Sequence, residues 1–497
     1  MMGIQQKQGE LWAKAVDLGG RLPNDHLLRQ IDRLLDLSFV REKVAHLYGK
    51  NGNVSVDPVV IMRMMILLFV DNLRSERELM RQIPLRIDYL WFLGYGLDDE
   101  VPDHSVLSKA RKRWGKTIFD ELFGRVVLQC IEAELVGSEK VHIDSSLIRA
   151  DASLASVVKT LVGEEMEKLE ELADKEEAPR PKHKPINTRY RSTTDPDSRV
   201  VRHDGGKAKP CFKNHRVVDD KAGVTTAVAT THGVENDGNK LMDMLDQHED
   251  RTGDKPGTAV ADCCYGDTAN FVELAQRGIQ AHVGDLRSRL RNKRAEGIFP
   301  ADDFHYDSET DTFECPAGER LHRHHFMKSR GHWEYRTKRG TCNDCALKAQ
   351  CTRAKTGRTL KRHEHQEELD LARRQSHSEE AREDRKRRQW FQERNFGEAA
   401  VMHGFKRARW RGLEKQSIQD LLIATIQNLK ILVRRSLWAF FCLTKPSCLT
   451  WKGHGTINIA TDEFHRENQP KTEKIPIALK PLTLLRFTLF RQQPDIS

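Results

Sequence analysis

The sequence lacks a hydrophobic run of the length that a membrane-spanning helix requires. Its N-terminal stretch, MMGIQQKQGELWAK, has no apolar core of the signal-peptide type. The most apolar C-terminal run, SLWAFFCLTKPSCL, is short and follows Arg434 and Arg435. These absences argue against a membrane or secreted protein, and we expect a cytoplasmic protein with no membrane partner.

The sequence also lacks a strong excess of charge of either sign. Its 82 lysine and arginine residues stand against 73 aspartate and glutamate residues, which gives a net charge of +9. Local clustering of this mild excess matters more than its total, and an acidic partner such as nucleic acid is compatible with it. The 497 residues, 38% of them hydrophobic, predict a globular protein of two or three domains.

Signals for helix starts mark the first 130 residues. Asp57-Pro58 combines an N-cap with proline at the first helical position, and the apolar run VVIMRMMILLFV after it predicts a buried helix. Ser75 and Glu78 have the spacing of a capping box, and Ser105 is placed to cap a third helix, VLSKARKRWG. We therefore expect an all-helical N-terminal domain at residues 1–130.

The third helix carries a cluster of four basic residues, Lys109, Arg111, Lys112 and Arg113. This cluster fits the last helix of a helix-turn-helix-like DNA-binding module. It fits a solvated charged face on a helical bundle equally well, and the pattern alone does not decide between the two.

At residue 138 the pattern changes to strands and intervening helices. Three strand-like runs, KVHIDSSLI, CFKNHRVVDD and GVTTAVATTH, precede a helix with Leu241, Met244, Leu245 and His248 on one face. A strand in GTAVADCCYG, a helix in TANFVELAQRG and a strand in IQAHV follow. This mixed α/β order is that of a ribonuclease H-like core, which we place at residues 138–289 and 386–443.

Three segments do not read as part of this core. Residues 152–210 hold an acidic helix and a stretch rich in proline, lysine and arginine, which predicts an exposed excursion. Residues 290–385 hold four cysteines and many charges and predict an insertion. Residues 444–497 form a tail that carries no interpretable motif.

Two aspartates stand where strands would bring acids together. Asp144 falls at an inward position of the strand in VHIDSSLI, and Asp262 ends the apolar run TAVA. A buried acid must be paired, protonated or bound to a cation, and carboxylates at the strand ends of one sheet can converge. Two close carboxylates repel each other, and divalent cations relieve that repulsion by taking oxygen ligands. These positions therefore predict a cation site.

The last strong helix offers a third acid. Glu393 lies on a stripe with Phe396, Gly397 and Ala400, whose small members would allow a close approach to the sheet. Glu398 lies about 140° further round the helix at 100° per residue. We prefer Glu393 and retain Glu398 as the alternative.

Several blocks in order resemble bacterial insertion-sequence transposases of the Asp-Asp-Glu (DDE) type. VHIDSSLIRADAS, ADCCYGD and ERNFGEAAVMHGFKRARWRGLEK are similar to their three active-site blocks. SERELMRQIPLRIDYLWFLGYGLDDEVPDHSVLSKARKRW is similar to their N-terminal helical domain, and FECPAG with CNDCALKAQC to the cysteine insertion of one branch. The resemblance covers about residues 20 to 440. It departs at Ala400, where many relatives have a lysine thought to contact DNA.

The resemblance implies that Asp144, Asp262 and Glu393 are the catalytic acids and bind two Mg²⁺ or Mn²⁺ ions roughly 3.5 to 4 Å apart. Water would cut the element's end, and the exposed 3′-hydroxyl would join it to target DNA. The implied partners are double-stranded DNA, at the terminal inverted repeats and the target, and further copies of the chain in a dimeric or larger synaptic complex. A catalytically inactive DNA-binding regulator and a metal-dependent nuclease that cuts without joining remain open.

Two basic runs flank Glu393 in the sequence. RKRR contains Arg387 and Arg388, and GFKRARWRG contains Lys406 and Arg407. Since phosphates must approach a site that cuts DNA, these four residues are candidate DNA contacts. A solvated charged face is the default interpretation for any one of them.

Four cysteines, Cys315, Cys342, Cys345 and Cys351, have the spacing of metal ligands. In a reducing cytosol this spacing favours a tetrahedral structural Zn²⁺ site, which would stabilise an insertion too small for its own core. Two buried thiol pairs without metal are the alternative. His322, His324 or His325 could also replace one cysteine as a ligand.

Overall fold

The computed structural model describes residues 17–49, 54–175, 185–202, 205–286 and 297–444. The predicted tail, from residue 445 onward, lies outside the described residues. The described residues up to Val433 form one compact unit, and a second unit begins at Arg434. No helix among the described residues is long and apolar enough to cross a membrane.

Helices make up the described chain before the first strand. Their bounds are α1 Leu18–Arg21, α2 Leu27–Leu34, α3 Ser38–Val44, α4 Pro58–Val70, α5 Glu76–Gln82, α6 Ile87–Leu93, α7 Ser105–Trp114 and α8 Thr117–Glu132. Helix α4 is the predicted buried helix, and every residue in it except Arg63 is buried. The Asp57 carboxylate caps it by accepting a hydrogen bond from the Val59 N–H at 2.9 Å.

The helix caps near the basic cluster differ in part from the sequence prediction. The Ser75 hydroxyl accepts the Glu78 N–H at 3.2 Å, as the capping-box spacing predicts. Helix α7, however, begins at Ser105 itself, and the Ser105 N–H is bound by Asp103 at 2.9 Å. The prediction that Ser105 caps α7 is therefore wrong, because the aspartate two residues earlier takes that role.

A mixed six-stranded sheet forms the centre of the second region. Its strands are β1 Lys140–Arg149, β4 Arg199–Val201, β5 Lys209–Asp219, β6 Thr225–His232, β7 Thr258–Ala261 and β8 Gln280–Val283. The order is β4-β5-β1-β7-β8, with β6 also paired to β5. The pairs of β5 with β1, β4 and β6 are antiparallel, whereas β1–β7 and β7–β8 are parallel. The strands and helices predicted between residues 138 and 289 are present in the predicted order.

Helices α11 (Leu241–Thr252) and α12 (Thr268–Gln276) lie between the last three of these strands along the chain. The four residues predicted to share one face of α11 are all buried. Asp267 caps α12 by accepting the Asn270 N–H at 2.9 Å. Asp262 is thereby left free of a helix-capping role.

The two interrupting segments contain regular structure of their own. The first holds α9 Leu161–Lys175, α10 Ile186–Arg189 and a two-stranded sheet of β2 Val157–Lys159 and β3 Tyr190–Ser192. It also supplies β4, an edge strand of the main sheet. The second holds a separate antiparallel sheet of β9 His305–Asp307, β10 Thr312–Glu314, β11 Arg320–Met327, β12 His332–Arg336 and β13 Leu360–His363, with a short helix, α13 Lys348–Cys351.

Three helices follow this second sheet, namely α14 Gln366–His377, α15 Glu379–His403 and α16 Leu413–Thr444. Helix α14 falls in the range that the sequence assigns to the insertion, yet it contacts the main sheet. The Ser376 hydroxyl donates to the Val283 carbonyl at 2.5 Å, and the Gln375 amide oxygen accepts the Ala281 N–H at 3.1 Å. Helix α15 crosses the sheet, where the Gln392 amide donates to the His142 carbonyl at 2.7 Å.

A buried histidine on α11 predicts that acid destabilises the fold. His248 is fully buried against Thr226 of β6, and burial lowers its pKa to about 4. The unfolded chain, with a histidine pKa near 6.5, binds more protons between those values, so stability falls as the pH drops through this window. We expect acidification from pH 8 to pH 5 to cost about 2 kcal/mol through His248.

Urea unfolding of the wild type and of His248→Gln at both pH values measures this effect. The variant should lose that part of the pH dependence, whereas His305→Gln, at an exposed position, should keep it. Equal pH dependence in the wild type and His248→Gln would contradict the assignment.

Candidate active site

The two predicted aspartates lie near each other on neighbouring parallel strands, Asp144 within β1 and Asp262 directly after the end of β7. Strand β1 pairs with β7 in a register that sets His142 against Val260. Two residues further along each strand are Asp144 and Asp262, and the Asp262 charge acts on the Asp144 carboxyl. The Asp262 carboxylate also accepts the Cys264 N–H at 2.8 Å, which fixes its orientation. The sheet therefore brings together two of the three predicted acids.

Asp144 is held in a partly buried position by an arginine from α15. Its carboxylate oxygen Oδ2 accepts a hydrogen bond from Arg388 Nη1 at 2.5 Å, and Oδ1 accepts the Ser145 N–H at 2.8 Å. Burial raises the pKa of Asp144 and the Asp262 charge adds to that rise, while Arg388 and the Ser145 N–H oppose it. The Arg388 guanidinium group therefore offsets the cost of burying the Asp144 carboxylate, in agreement with the expectation that a buried acid needs a cation.

A third aspartate at this site was missed by the sequence analysis. The Asp237 carboxylate accepts hydrogen bonds from the Ser145 hydroxyl at 2.7 Å and from Lys213 Nζ at 3.0 Å. Burial raises the pKa of Tyr265 well above its usual value, and the charges of Asp237, Asp144 and Asp262 add to it. Three carboxylates therefore lie near the Tyr265 hydroxyl. Asp237 is the first residue of a short 3-10 helix, in VENDGNK, where an acid is ordinary, so no sequence signal set it apart.

The structure does not bring Glu393 into contact with the two aspartates. Glu393 is exposed, and its carboxylate accepts a hydrogen bond from the Gln389 amide at 2.9 Å. Among the described residues it forms no hydrogen bond or ion pair with Asp144 or Asp262. The alternative, Glu398, is partly buried and lies 3.5 Å from Lys430 Nζ.

The packing face of α15 also differs from the stripe that the sequence predicts. Of Phe396, Gly397 and Ala400, only Phe396 is buried, and Gly397 is exposed. The face toward the sheet is instead polar, because Gln392 and Asn395 are buried by hydrogen bonds to strand residues. The small side chains of Gly397 and Ala400 therefore wrongly predicted which face of α15 packs on the sheet, because hydrogen bonds to the strands determine that face.

Buried Arg216, the residue of β5 directly opposite Asp144, organises the polar face of α15. Its Nη1 donates to the Asn395 amide oxygen at 2.6 Å and to the Gln427 amide oxygen of α16 at 2.7 Å. Phe396 and Phe405 lie against its guanidinium group. Arg216 therefore links both C-terminal helices to the strand pair that carries Asp144.

The candidate DNA contacts of the N-terminal domain separate into two groups. Lys109, Lys112 and Arg113 are exposed on α7. Arg111 is 4% exposed, forms an ion pair with Glu76 and stacks on Trp410, 3.8 Å from the ring centre. Arg111 is thus a packing residue in this structure, since helical periodicity turns it toward the protein while its neighbours face solvent.

The candidate contacts around Glu393 also have partners within the protein. Arg387 lies 2.8 Å from Asp220, and Arg388 is engaged by Asp144. Lys406 Nζ donates to the Ser146 hydroxyl at 2.5 Å, and exposed Arg407 lies 3.7 Å from Asp151. Lys406 is the one of these four that stands beside β1 just past Asp144 without an acidic partner among the described residues.

The four cysteines of the insertion line one cavity beside the second sheet. Burial raises the pKa of Cys351, and the other three thiols add to that rise, which shows that all four are neighbours. No three of their sulfur atoms lie within 4.8 Å of one another among the described residues. His322, His324 and His325 lie on β11 and do not line this cavity.

One further group could hold a metal ion by proximity alone. In the described chain, ligand atoms of His282, Glu380 and Asp384 all lie within 4.8 Å of one another. Lys140 Nζ already lies 2.7 Å from Asp384. Although burial raises the pKa of Asp384, hydrogen bonds from Lys140 and His282 outweigh it and lower the pKa. The lysine supplies the cation here, so this group is a salt-bridge network.

The Asp144–Asp262 pair fits a divalent cation. Carboxylate oxygens are the ligands that Mg²⁺ and Mn²⁺ prefer, and both side chains remain partly exposed. Arg388 already donates to one oxygen of Asp144, so a divalent cation would have to compete with Arg388 for that oxygen. Such a pair, close to basic side chains, is suited to chemistry on a phosphate ester.

Two family models match the chain. The model described as Transposase domain (DUF772) matches residues 16–113, which span the helices from α1 into α7. The model described as Transposase DDE domain matches residues 314–433, from β10 into α16. The second range contains Arg388, Glu393 and the four cysteines, whereas Asp144 and Asp262 precede it. No curated protein matches the chain.

Proposed function

Starting from a chain that is an insertion-sequence transposase of the DDE type, we propose that it cleaves DNA at the ends of its own element and joins them to target DNA. One observation carries the proposal. Asp144, within β1, and Asp262, directly after the parallel strand β7, lie near each other, and Arg388, from the matched DDE region, binds Asp144. The site thereby joins the two aspartates to the part of the chain that the DDE model matches.

The main sheet supports a ribonuclease H-like core. Strands β6, β5 and β1 form the antiparallel half, and β7 and β8 extend the sheet in parallel beyond β1. Asp144 is then on the central strand, where groups from both sides of the sheet can reach it. We assign residues 138–289 and 386–443 to this core, together with α14, and residues 1–130 to a DNA-binding domain.

Asp144 and Asp262 would hold divalent cations, Mg²⁺ or Mn²⁺, and a two-ion site would complete its ligands with Glu393. When bound, such cations activate the attacking oxygen and stabilise the leaving oxygen of an in-line displacement at phosphorus. Arg388 would have to turn away from Asp144, and its charge would then be available to the phosphate. Lys406 contacts Ser146, two residues past Asp144 in β1, and from there it can bind the next phosphate of the same DNA strand.

Cleavage and strand-transfer assays test this function. A labelled duplex that carries the element's own ends is incubated with the full chain in Mg²⁺, in Mn²⁺ or in a chelator. Joined products that depend on the metal support the transposase proposal. Cut ends without joined products would replace it with a nuclease, and specific binding without cleavage would replace it with an inactive regulator.

We infer that Glu393, rather than Glu398, is the third acid. Gln389, the neighbour of Arg388, donates to the Glu393 carboxylate, and Glu393 lies five residues, or about 7.5 Å along the helix axis, from Arg388, which binds Asp144. Glu398 is paired with Lys430 on the next helix.

We expect Glu393→Gln to lower cleavage by about 10²-fold or more, because it removes a cation ligand worth several kcal/mol. Glu398→Gln should keep cleavage within about fivefold. Initial rates on the same duplex measure both, with thermal melting to verify folding. Near-normal cleavage by Glu393→Gln would move the third ligand elsewhere, and Asp237→Asn would be the next variant to measure.

We propose that exposed Lys109 and Lys112 read the ends of the element. Replacing both by glutamine should reduce the preference for end DNA over random DNA, because α7 belongs to a domain without the catalytic acids. Arg111→Gln should instead lower the melting temperature, since it removes a buried ion pair. Titration of labelled duplexes at several salt concentrations measures the preference. Full preference in the double variant would dismiss α7 as the reader.

We propose that the four insertion cysteines bind one structural Zn²⁺. Among the described residues, four form the buried core of the five-stranded second sheet, namely Phe304, Leu321, Tyr335 and Leu360, and so small a core contributes little stability. Zinc–sulfur bonds of about 2.3 Å would place the sulfurs about 3.8 Å apart, so ligation requires the cavity to close slightly.

Because transposition joins two ends, we also propose a homodimer or larger complex on DNA.

A further inference from the structure

A basic cleft begins at the residue after Asp144 and runs along strand β1. It has a volume of about 620 Å³, and it is lined by β1 residues from Ser145 to Arg149, by the segment that leads into β5, and by Lys406. Asp144 lies opposite Arg216 in β5 and Arg149 lies opposite Cys211. Five residues of strand separate the two ends, a distance of about 17 Å.

Cations from three separate parts of the chain line this cleft. They are Arg149, Lys207, Lys209, Lys213 and Lys406. Lys213 is paired with Asp237, the one acid in the lining. The other four are exposed, and none forms an ion pair with a described residue. Exposed cations gathered in a concave surface raise the local potential for an anion far more than the same charges spread over a face.

The length of the cleft distinguishes between anions. Lys406 donates to Ser146 near the aspartates. Cys211 marks the far end: burial raises the pKa of its thiol, and the nearby charges of Lys209 and Arg149 oppose that rise. A single phosphate could contact one end only. A chain of phosphates that starts at the aspartates could contact both.

We propose that this cleft binds the sugar-phosphate backbone of the DNA strand that enters the catalytic site. The inference rests on the proposed function, because it takes the aspartate pair as the place where that strand is cut. The cleft would hold successive phosphates beside the scissile one without reading their bases. The proposal adds Lys207 and Lys209 to the DNA-contacting residues, although both lie outside the three sequence blocks that resemble the transposase active site.

The experiment compares the double variant Lys207→Gln/Lys209→Gln with the wild-type full chain. Binding to a fluorescein-labelled 20-nucleotide strand and to the matching duplex of random sequence is titrated between about 0.05 and 0.3 M salt. Losing two phosphate contacts should make the negative slope of log K against log salt shallower by about 1.4 for a single strand or about 1.8 for a duplex. Affinity at 0.1 M salt should fall by roughly tenfold or more.

The matched control is Lys338→Gln/Lys355→Gln, which removes two equally exposed lysines from the cysteine insertion. Its slope should equal that of the wild type. An unchanged slope and affinity in the cleft variant, in a protein whose wild type cleaves DNA, would overturn the cleft and leave the proposed function standing. If the wild type does not cleave, the proposed function fails, and a reduced slope in the cleft variant alone still supports the DNA-binding cleft.

Thermal melting of both double variants separates contact from folding. All four lysines are exposed, so melting temperatures should stay within about 2 °C of the wild type. If the cleft variant lost affinity together with a large fall in melting temperature, Lys207→Arg/Lys209→Arg, which keeps both charges, would decide. A wild-type slope in that variant would support the cleft, and a slope as shallow as that of the glutamine variant would overturn it.

Discussion

Asp144→Asn should reduce cleavage of end DNA by about 10³-fold or more while leaving its binding within about twofold. The substitution keeps the shape of the side chain and removes the charge that a divalent cation needs. Asp262→Asn should have the same effect, since both carboxylates sit on the same cation site. Binding survives because the proposed DNA contacts on α7 and in the basic cleft lie outside the aspartate pair.

Initial cleavage rates and titrations with labelled end duplexes measure the two properties separately. Asp246→Asn, an exposed acid of α11 in the same domain, is the matched control and should cleave like the wild type. A raised requirement for Mg²⁺ or Mn²⁺ in either active-site variant would add direct support. Normal cleavage by Asp144→Asn would end the assignment of this site.

Removing the cysteine pair Cys342 and Cys345 should have the largest structural effect. Freshly purified, reduced protein should contain about one zinc per chain, and Cys342→Ser/Cys345→Ser should contain almost none. Structural zinc contributes on the order of 10 kcal/mol to small domains, far more than the four-residue core of the second sheet can replace. The insertion should therefore become the first region that a protease cleaves.

Metal analysis and limited proteolysis measure these outcomes. Cys130→Ala is the matched control, because burial raises the pKa of that thiol to about 12 and keeps it from binding metal. It removes a cysteine without touching the cavity, so its zinc content should match the wild type. Wild-type protein without zinc would leave two unliganded thiol pairs as the better description.

The sequence determined the elements of the fold because their signals are local. Asp57 before Pro58, the capping box of Ser75 and Glu78, and the alternation of KVHIDSSLI each act within a few residues, and each element appears where these signals place it. It also determined that Asp144 and Asp262 meet. Both follow apolar strand residues, and the parallel register of β1 with β7 sets them near each other.

Only the tertiary structure decided which side chains from distant parts of the chain contact one another. Arg111 and Lys112 are neighbours in one basic run, yet packing against Glu76 buries the first and leaves the second in solvent. Arg388 was predicted to contact phosphate and instead binds Asp144, while Asp237 reaches the site from the start of a short 3-10 helix. These outcomes depend on contacts between residues far apart in the chain, and helical or strand periodicity fixes only the direction of a side chain relative to its own element.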